Sequence, residues 1–336
     1  MREIALPQGY TPLLSIYETQ KAIDLLKRLF ADKLSGALRL HRVSAPLFVA
    51  ASSGLNDDLN GVERPVAFPV KSLGDSRAEV VHSLAKWKRV KLAQLGTAPG
   101  RGIYTDMNAL RPDEELDNIH SIYVDQWDWE KVIRPEDRNL EYLKLTVRRI
   151  YEAVKVTENR LFVEFPQIEP ILPEEIFFIT AEELLGRYPG LSPKERENAV
   201  CREHKAVFII GIGAPLSDGH PHDGRAADYD DWSLNGDLLL WNPVLESAFE
   251  ISSMGIRVNP ESLRSQLAAK GESWKEELWY HRELLSGRLP QTIGGGIGQS
   301  RLCMYLLRKA HIGEIQSSIW PEEMRSECAA YGIYLA

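Results

Sequence analysis

One run near residue 300 has a composition suited to meeting an anion: Thr292-Ile-Gly-Gly-Gly-Ile-Gly-Gln-Ser-Arg301-Leu. Gly294, Gly295, Gly296 and Gly298 permit positive φ and let backbone approach a ligand closely. The apolar residues that follow, Leu302, Cys303, Met304, Leu306 and Leu307, read as a helix that opens directly after a glycine loop. A helix N-terminus offers free N–H groups and a favourable dipole to an anion, and Arg301 adds a planar, permanent cation. No Gly-Lys-Ser/Thr follows, so this is not a Walker loop. It does not open a βαβ unit either, so it is not a dinucleotide fingerprint. From these residues alone, a glycine turn that merely packs a helix remains an equal reading.

Other clusters carry chemistry less sharply. Asp218, His220, His222 and Asp223 invite a metal reading, but the two histidines lack the i, i+4 spacing of a helical zinc site. They read better as shaping a loop over a substrate. The Asp228-Tyr-Asp-Asp231 run is either a site or a solvated acidic loop. Lys86, Lys88, Arg89 and Lys91 read mostly as the solvated face of a helix that puts Leu84, Trp87 and Leu92 inside. Cys201, Cys303 and Cys328 form no CxxC pair and read as buried small hydrophobes in a reducing compartment.

Composition narrows the function classes. Forty basic against 48 acidic residues leave a net charge of −8, the wrong balance for gripping nucleic-acid phosphates. The longest apolar run, residues 206–216, is too short to span a bilayer. The N-terminus lacks a signal-peptide core. The expectation is a cytoplasmic enzyme with no membrane span and no nucleic-acid partner.

These residues need a frame. Ala22, Ile23, Leu25, Leu26, Leu29 and Phe30 mark a helix over 17–33, stopped by Ser35-Gly36. Residues 37–51 read as extended, with Pro46 as an edge or boundary signal. A second amphipathic helix runs through Leu140, Leu143, Val147, Ile150, Tyr151 and Val154. A third spans 193–204, with Ser192 as N-cap and proline in the first turn, and a fourth lies around 276–285. Short β-rich runs sit at 176–180, 206–211, 237–241 and 248–251. There is no linker or repeat, so residues 1–336 read as a single domain. The regular βαβ period is absent, which predicts an α/β (α+β) domain with a mostly antiparallel sheet flanked by helices.

The pattern G-x-G-x-G-x-x-R, met by Gly294, Gly296, Gly298 and Arg301, resembles motif 3 of the class II aminoacyl-tRNA synthetases. The helix over 17–33 with the Pro46 strand resembles motif 1. Residues 102–114 with Arg111, followed by 121–130, resemble motif 2. Longer blocks narrow the likeness: Val80-Val-His-Ser-Leu-Ala-Lys-Trp-Lys-Arg89, Tyr123-Val-Asp-Gln-Trp-Asp-Trp-Glu130, Trp241-Asn-Pro-Val-Leu-Glu246 and Phe249-Glu-Ile-Ser-Ser-Met-Gly-Ile-Arg257. From about residue 12 to residue 320 the chain resembles the ammonia-dependent asparagine synthetases, or aspartate–ammonia ligases. It departs from them at Asp106, where histidine is expected, at Asp58, where asparagine is expected, and in a shorter segment between Trp232 and Leu234.

That resemblance implies a class II synthetase-like catalytic fold, a homodimer through motif 1, and a two-step reaction. L-Aspartate and ATP give β-aspartyl-AMP and pyrophosphate; ammonia then gives L-asparagine and AMP. It places Arg111 at the α-phosphate and activated carboxylate, with Gln126 positioning the carbonyl or nucleophile. Asp57 is the leading acceptor of the ammonium proton, and Asp230 is a further candidate beside the substrate. Ser83 and Lys88 fall at the aspartate, with Arg225 and Arg257 for its carboxylates. Ser253, Gly294, Gly296, Gly298 and Arg301 fall at the nucleotide. Mg²⁺ would accompany the phosphates on Glu250 and Asp237, because Arg257 stands near where the usual second acid lies.

Three rivals share parts of this pattern, one of them a metallohydrolase that rests only on the histidine pair. A tRNA-charging enzyme would need an anticodon-binding domain, and a non-catalytic paralogue would lose cations or acids that this chain keeps. The cysteines generate a prediction of their own. Synthetases that use glutamine release its ammonia with an activated N-terminal cysteine, and no motif here activates Cys201, Cys303 or Cys328. Asparagine should form from ammonium chloride, aspartate and ATP, with apparent affinity for total ammonium improving as pH rises. Efficient synthesis from ammonia-free glutamine, read by mass spectrometry, would refute this.

Overall fold

Strand pairing sets the frame of the molecule, whose computed structural model describes residues 4–56 and 63–336. The strands are β1 (Leu40–Arg42), β2 (Phe48–Ala50), β3 (Ala67–Val70), β4 (Ser76–Val80), β5 (Gly102–Leu110), β6 (Tyr123–Val132), β7 (Phe177–Thr180), β8 (Ala206–Ile210), β9 (Asp230–Asn242), β10 (Ser247–Arg257) and β11 (Thr292–Gly298). Eight of them form one sheet in the order β1-β5-β6-β11-β10-β9-β8-β7, and β2-β4-β3 form a small second sheet. In the large sheet the central pairs are antiparallel and only the outer pairs, β1 with β5 and β7 with β8, are parallel. The expected mostly antiparallel sheet flanked by helices is therefore present.

The helices are α1 (Ile16–Leu38), α2 (Ala85–Gln94), α3 (Leu140–Glu164), α4 (Ala181–Arg187), α5 (Pro193–His204), α6 (Pro260–Lys270), α7 (Trp279–Leu285), α8 (Gln299–Leu306) and α9 (Glu322–Ala330). One face of the sheet is closed by α1, α3 and α8. Phe30 of α1 meets Trp127 of β6 with ring centroids 4.6 Å apart, and Trp129, Met254, Ile293 and Ile297 join the same core. On the other face, α5 covers β8 and β9 through Val200, Cys201, Ile209 and Leu239, while α2 covers the β5–β6 end through Leu84, Leu92, Ile103 and Met107. The floor between these two helical walls stays open.

Several sequence expectations shift. Ser35-Gly36 does not stop α1, because Leu34 and Leu38 extend the buried stripe of Leu26 and Phe30. That burial outweighs the roughly 1 kcal/mol cost of a helical glycine. The helix ends instead at Arg39, left-handed at φ 61°, whose N–H donates to the carbonyls of Gly36 and Ser35. Of the extended stretch over 37–51, only β1 and β2 are strand. The helix over 193–204 stands as read, with a Ser192–Glu195 capping box. The glycine run is a strand, β11, in the middle of the sheet, and its helix, α8, opens at Gln299.

The basic cluster on α2 overturns its solvated reading. Lys86, Lys88 and Arg89 are 4%, 1% and 2% exposed. The reason is compensation: Lys86 pairs with Asp228 at 2.7 Å, Lys88 with Asp128, and Arg89 donates to the carbonyls of Pro290 and Val258.

Candidate active site

A cleft of about 810 Å³ lies on the open floor between α2 and α5. Its floor is the face of β6, β11 and β10 turned away from the main core. Side chains alternate across a strand, so Gln126, Asp128 and Glu130 of β6 share this face, opposite Gly298, Gly296 and Gly294 of β11. On β10, a bulge between Glu250 and Ser252 shifts the alternation. Glu250 before it and Ser253 and Arg257 after it then all reach the cleft.

Under one end of this floor lies a buried ion network. Arg257 donates to Glu130 at 2.7–3.1 Å and to Asp230 at 2.5 Å, and Thr292 adds a 2.6 Å bond to Glu130. Lys88 grips Asp128 and the carbonyl of Trp129, with Glu130 at 3.7 Å. Burial alone raises every carboxylate here. For Glu130 the nearby Arg257 and Lys88 outweigh it and leave the pKa below the ordinary range. For Asp128 and Asp230 burial wins, and both are raised.

The glycines of β11 answer to this network. A Cβ on Gly294 would overlap the Glu130 carboxylate and sit 2.6 Å from Arg257 Nη2, and one on Gly296 would overlap the Gln126 amide. They are small so that the protein's own polar side chains can cross the strand. Only at Gly295, Gly296 and Gly298 does the run also face the cleft.

Arg111 follows directly after β5, and among the described residues its side chain is held only by Glu114 at 3.8 Å. Arg301, in the first turn of α8, bonds the Glu250 carbonyl at 3.3 Å and lies 3.8 Å from its carboxylate. Arg225 is engaged: it donates to Asp237 and to Ser253 Oγ, each at 2.7 Å. Among the described residues, buried polar atoms without a partner include Arg111 Nε, Arg225 Nε, Asp128 Oδ2 and Ser300 Oγ. All four residues line this cleft, and buried polar atoms normally find partners.

The structure brings Ser83, Arg111, Gln126, Arg225, Asp230, Glu250, Ser253, Arg257, Gly296, Gly298 and Arg301 to one cavity. Lys88, Asp237 and Gly294 stand behind its wall, Lys88 fully buried against Asp128 and Asp237 behind Arg225. Asp57 lies outside the described residues. Of the two acids expected at a divalent cation, Glu250 faces the cleft with a third of its side chain exposed, while Asp237 is already bonded to Arg225. One carboxylate plus substrate phosphates is a normal environment for Mg²⁺, so Glu250 fits that ion as it stands. The histidine cluster gathers no set of three or more His, Cys, Asp or Glu among the described residues. His222 instead bonds Glu197 of α5 at 3.1 Å and pins the loop whose Asp223, Gly224 and Arg225 border the cleft. Sequence reading passed over Asp128 and Glu130. The signal was there: Gln-Trp-Asp-Trp-Glu alternates polar and aromatic residues, so the acids share a strand face with Gln126.

Comparisons with known proteins identify the family and the fold. The family described as aspartate-ammonia ligase matches residues 17–332. The chain is 58% identical to an aspartate–ammonia ligase of Bacteroides fragilis over 344 aligned positions, covering all of both chains. It is 58% identical to one of Clostridium perfringens over the whole of both chains, and 57% identical to one of Bacillus cereus over 97% of this chain and 99% of that one. Among solved structures, it is similar to an asparaginyl-tRNA synthetase of Entamoeba histolytica in complex with asparaginyl-adenylate. The TM-score is 0.63 at 14% identity, covering 90% of this chain and 66% of that one. The corresponding Pyrococcus horikoshii enzyme gives 0.61 at 16% identity, covering 96% and 77%. The fold is that of the class II synthetases.

The packing at Gly294 predicts a stability effect. Gly294→Ala forces Glu130 and Arg257 apart and should cost about 3–5 kcal/mol, the scale of a broken buried pair. Gly36→Ala, with nothing within 4 Å of its added Cβ, should instead stabilise by up to about 1 kcal/mol. Equal denaturant midpoints for Gly294→Ala and the parent would refute this packing account.

Proposed function

The chain belongs to the aspartate–ammonia ligase family and is an aspartate–ammonia ligase, and from that premise we propose that it joins the two substrates through β-aspartyl-AMP. The observation that carries this reading is the pairing of two lightly held arginines, Arg111 and Arg301, with a buried, over-determined acid–arginine pocket in the same cleft. The pocket suits aspartate and the arginines suit a triphosphate.

In the first step, an oxygen of the β-carboxylate of aspartate attacks the α-phosphorus of ATP. The bond to the β-phosphate oxygen breaks and pyrophosphate leaves with the electron pair. Bringing a carboxylate to a triphosphate opposes like charges, so fixed cations must offset them. Arg111 is assigned to the α-phosphate and the activated carboxylate, because its fork binds two oxygens at once. Arg301, with Ser253 and the backbone of Gly296 and Gly298, is assigned to the nucleotide. Glu250 would hold Mg²⁺ with the phosphates; the ion would neutralise phosphate charge. Asp237 serves through Arg225, which it orients. Asp128, with its unpaired Oδ2, suits the substrate ammonium, and Lys88 fixes that carboxylate in place. Ser83, Asp230, Arg225 and Arg257 surround the remaining polar groups of aspartate.

In the second step, ammonia attacks the activated carbonyl carbon, the C–O bond to phosphate breaks and AMP leaves. Gln126 is assigned to orient the carbonyl or the nucleophile, and Asp57 is assigned the proton released from the nascent amide. The whole chain acts as one catalytic domain in this reading. It works in the cytoplasm and without nucleic acid; no helix among the described residues is long and apolar enough to cross a membrane.

The active form is proposed to be a homodimer. Ile16 and Tyr17 at the start of α1 are 57% and 70% exposed, and Leu47 and Phe48 are about half exposed, with Phe48 edge-on to Phe68. Large apolar side chains left exposed at both elements suit a contact face, and two-fold pairing is the commonest symmetry. Light scattering at micromolar concentration should give twice the chain mass; a monomer would sink the proposal. The adenylate route predicts AMP and pyrophosphate in equal amounts with asparagine. Asp57→Ala should slow amide formation more than it weakens ATP binding. Stoichiometric ADP and phosphate would overturn the route, and wild-type turnover in the variant would remove Asp57 from it.

A further inference from the structure

The cleft continues past Arg301 to a wall made by α5, and this wall carries a cation that the roles assigned above leave unused. Asn198 of α5 accepts a 2.7 Å hydrogen bond from the Ala248 N–H of β10, which locks this face of the helix to the strand. Residues four apart share a helix face. Lys194 therefore stands one turn from that anchor, roughly 5 Å along the axis. Ala248 and Glu250 likewise share a face of β10, so Lys194 borders the cleft beside Glu250 and Arg301.

Its present partner holds it loosely. Lys194 Nζ is 3.0 Å from Glu197, yet 69% of the lysine side chain is accessible against 8% of the glutamate. A pair so open to water contributes little. Glu197 also keeps His222 at 3.1 Å, so it is not stranded when the lysine moves. The surrounding protein mass draws the Lys194 pKa down although the side chain itself is accessible, and Glu197, then Glu250 and Asp223, more than offset this and raise it.

Stereochemistry says what this cation would meet. In phosphoryl transfer the attacking and leaving oxygens lie roughly in line across phosphorus. The acid–arginine pocket is at the Gly294 level of β11, whereas Glu250 lies beyond the residues that pair with Gly296 and Ile297. Seven residues of strand separate Arg257 from Glu250, roughly 20 Å. If aspartate enters at the Arg257 end, pyrophosphate departs toward Arg301, Glu250 and Lys194.

Resting on the adenylate reading, we propose that Lys194 is a pyrophosphate-binding residue. Its ammonium swings from Glu197 to the β- and γ-phosphoryl oxygens of ATP. When the bond between the α-phosphorus and its bridging oxygen breaks, the electron pair goes to that oxygen. Lys194 then faces the charge that accumulates on the leaving pyrophosphate. A lysine suits the role because a compact charge with rotatable donors follows a group that must depart.

The test compares wild type, Lys194→Gln and Lys194→Arg. It measures KM for ATP and aspartate, and product inhibition by pyrophosphate and by AMP. Lys194→Gln should raise KM for ATP and the inhibition constant of pyrophosphate about tenfold each, the scale of one charge-assisted contact. KM for aspartate and inhibition by AMP should stay within about twofold, because those ligands do not reach the β- and γ-phosphate site. Lys194→Arg should recover most of the loss. Unchanged pyrophosphate inhibition in Lys194→Gln would overturn the assignment. So would an equal weakening of AMP and pyrophosphate, which would mean a distorted cleft. Failure of the adenylate reading is separately visible, because the wild type would then release ADP.

Discussion

Everything in the cleft depends on one buried interaction, the grip of Arg257 on Glu130 and Asp230. Its members come from β6, β10 and the entry to β9, and Lys88 and Asp128 extend it to α2. Removing one partner of such a set strands a charge in low dielectric, at about 3–5 kcal/mol. Replacing the whole set by apolar residues of like volume would cost far less. What an apolar replacement lacks is an address: a charge satisfied in only one geometry fixes the relative register of the strands and the helix that carries Lys88.

The glycine strand follows from this constraint. Long polar side chains that lie flat across a sheet need a neighbour with no side chain, and Gly294 and Gly296 supply it directly opposite Glu130 and Asp128. The bulge in β10 solves the complementary problem. A strand of strict alternation cannot present Glu250 and Arg257, an odd number of residues apart, on one face. One extra residue between them makes it possible, and an acid and a cation then face the two ends of one cleft.

The sequence made the architecture largely legible where signals were local. Ser192 and Pro193 marked the start of α5, because capping is a contact between residues three apart, here Ser192 with Glu195. Parts of β7, β8, β9 and β10 were legible from short apolar runs, whereas β3 and β4 were not and β11 read as a glycine loop. The α2 cluster was not, since the partners of Lys86, Lys88 and Arg89 lie 40 or more residues away and nothing within the helix distinguishes a solvated lysine from a paired one. The role of the glycines was half legible. Their need for space is written in the residue type, but whether a ligand or a neighbouring carboxylate fills that space is decided by the register of β6 against β11. Asp128 and Glu130 were legible in principle from period-two alternation, and were hidden because the intervening tryptophans read first as core.

The three buried carboxylates of the floor are unequal, and the inequality separates structural from binding roles. Glu130 takes all its partners from the protein: two nitrogens of Arg257, Thr292 and the nearby Lys88. Its charge stays stabilised although it is sealed from water. Asp128 and Asp230 are equally deep but have less cationic support, so burial prevails and each is easier to protonate than an ordinary aspartate. An acid left under-compensated at the surface of a cleft is one whose environment a ligand can complete. An ammonium arriving at Asp128 Oδ2 would add positive charge at the oxygen that Lys88 leaves without a partner. Carboxylates arriving with it would meet arginines already fixed in direction by Asp230 and Asp237. Such a floor is biased toward a small zwitterion with additional negative charge before any nucleotide is considered, because Asp128, Arg225 and Arg257 are held by Lys88, Asp237 and Glu130, which stand behind the cleft wall.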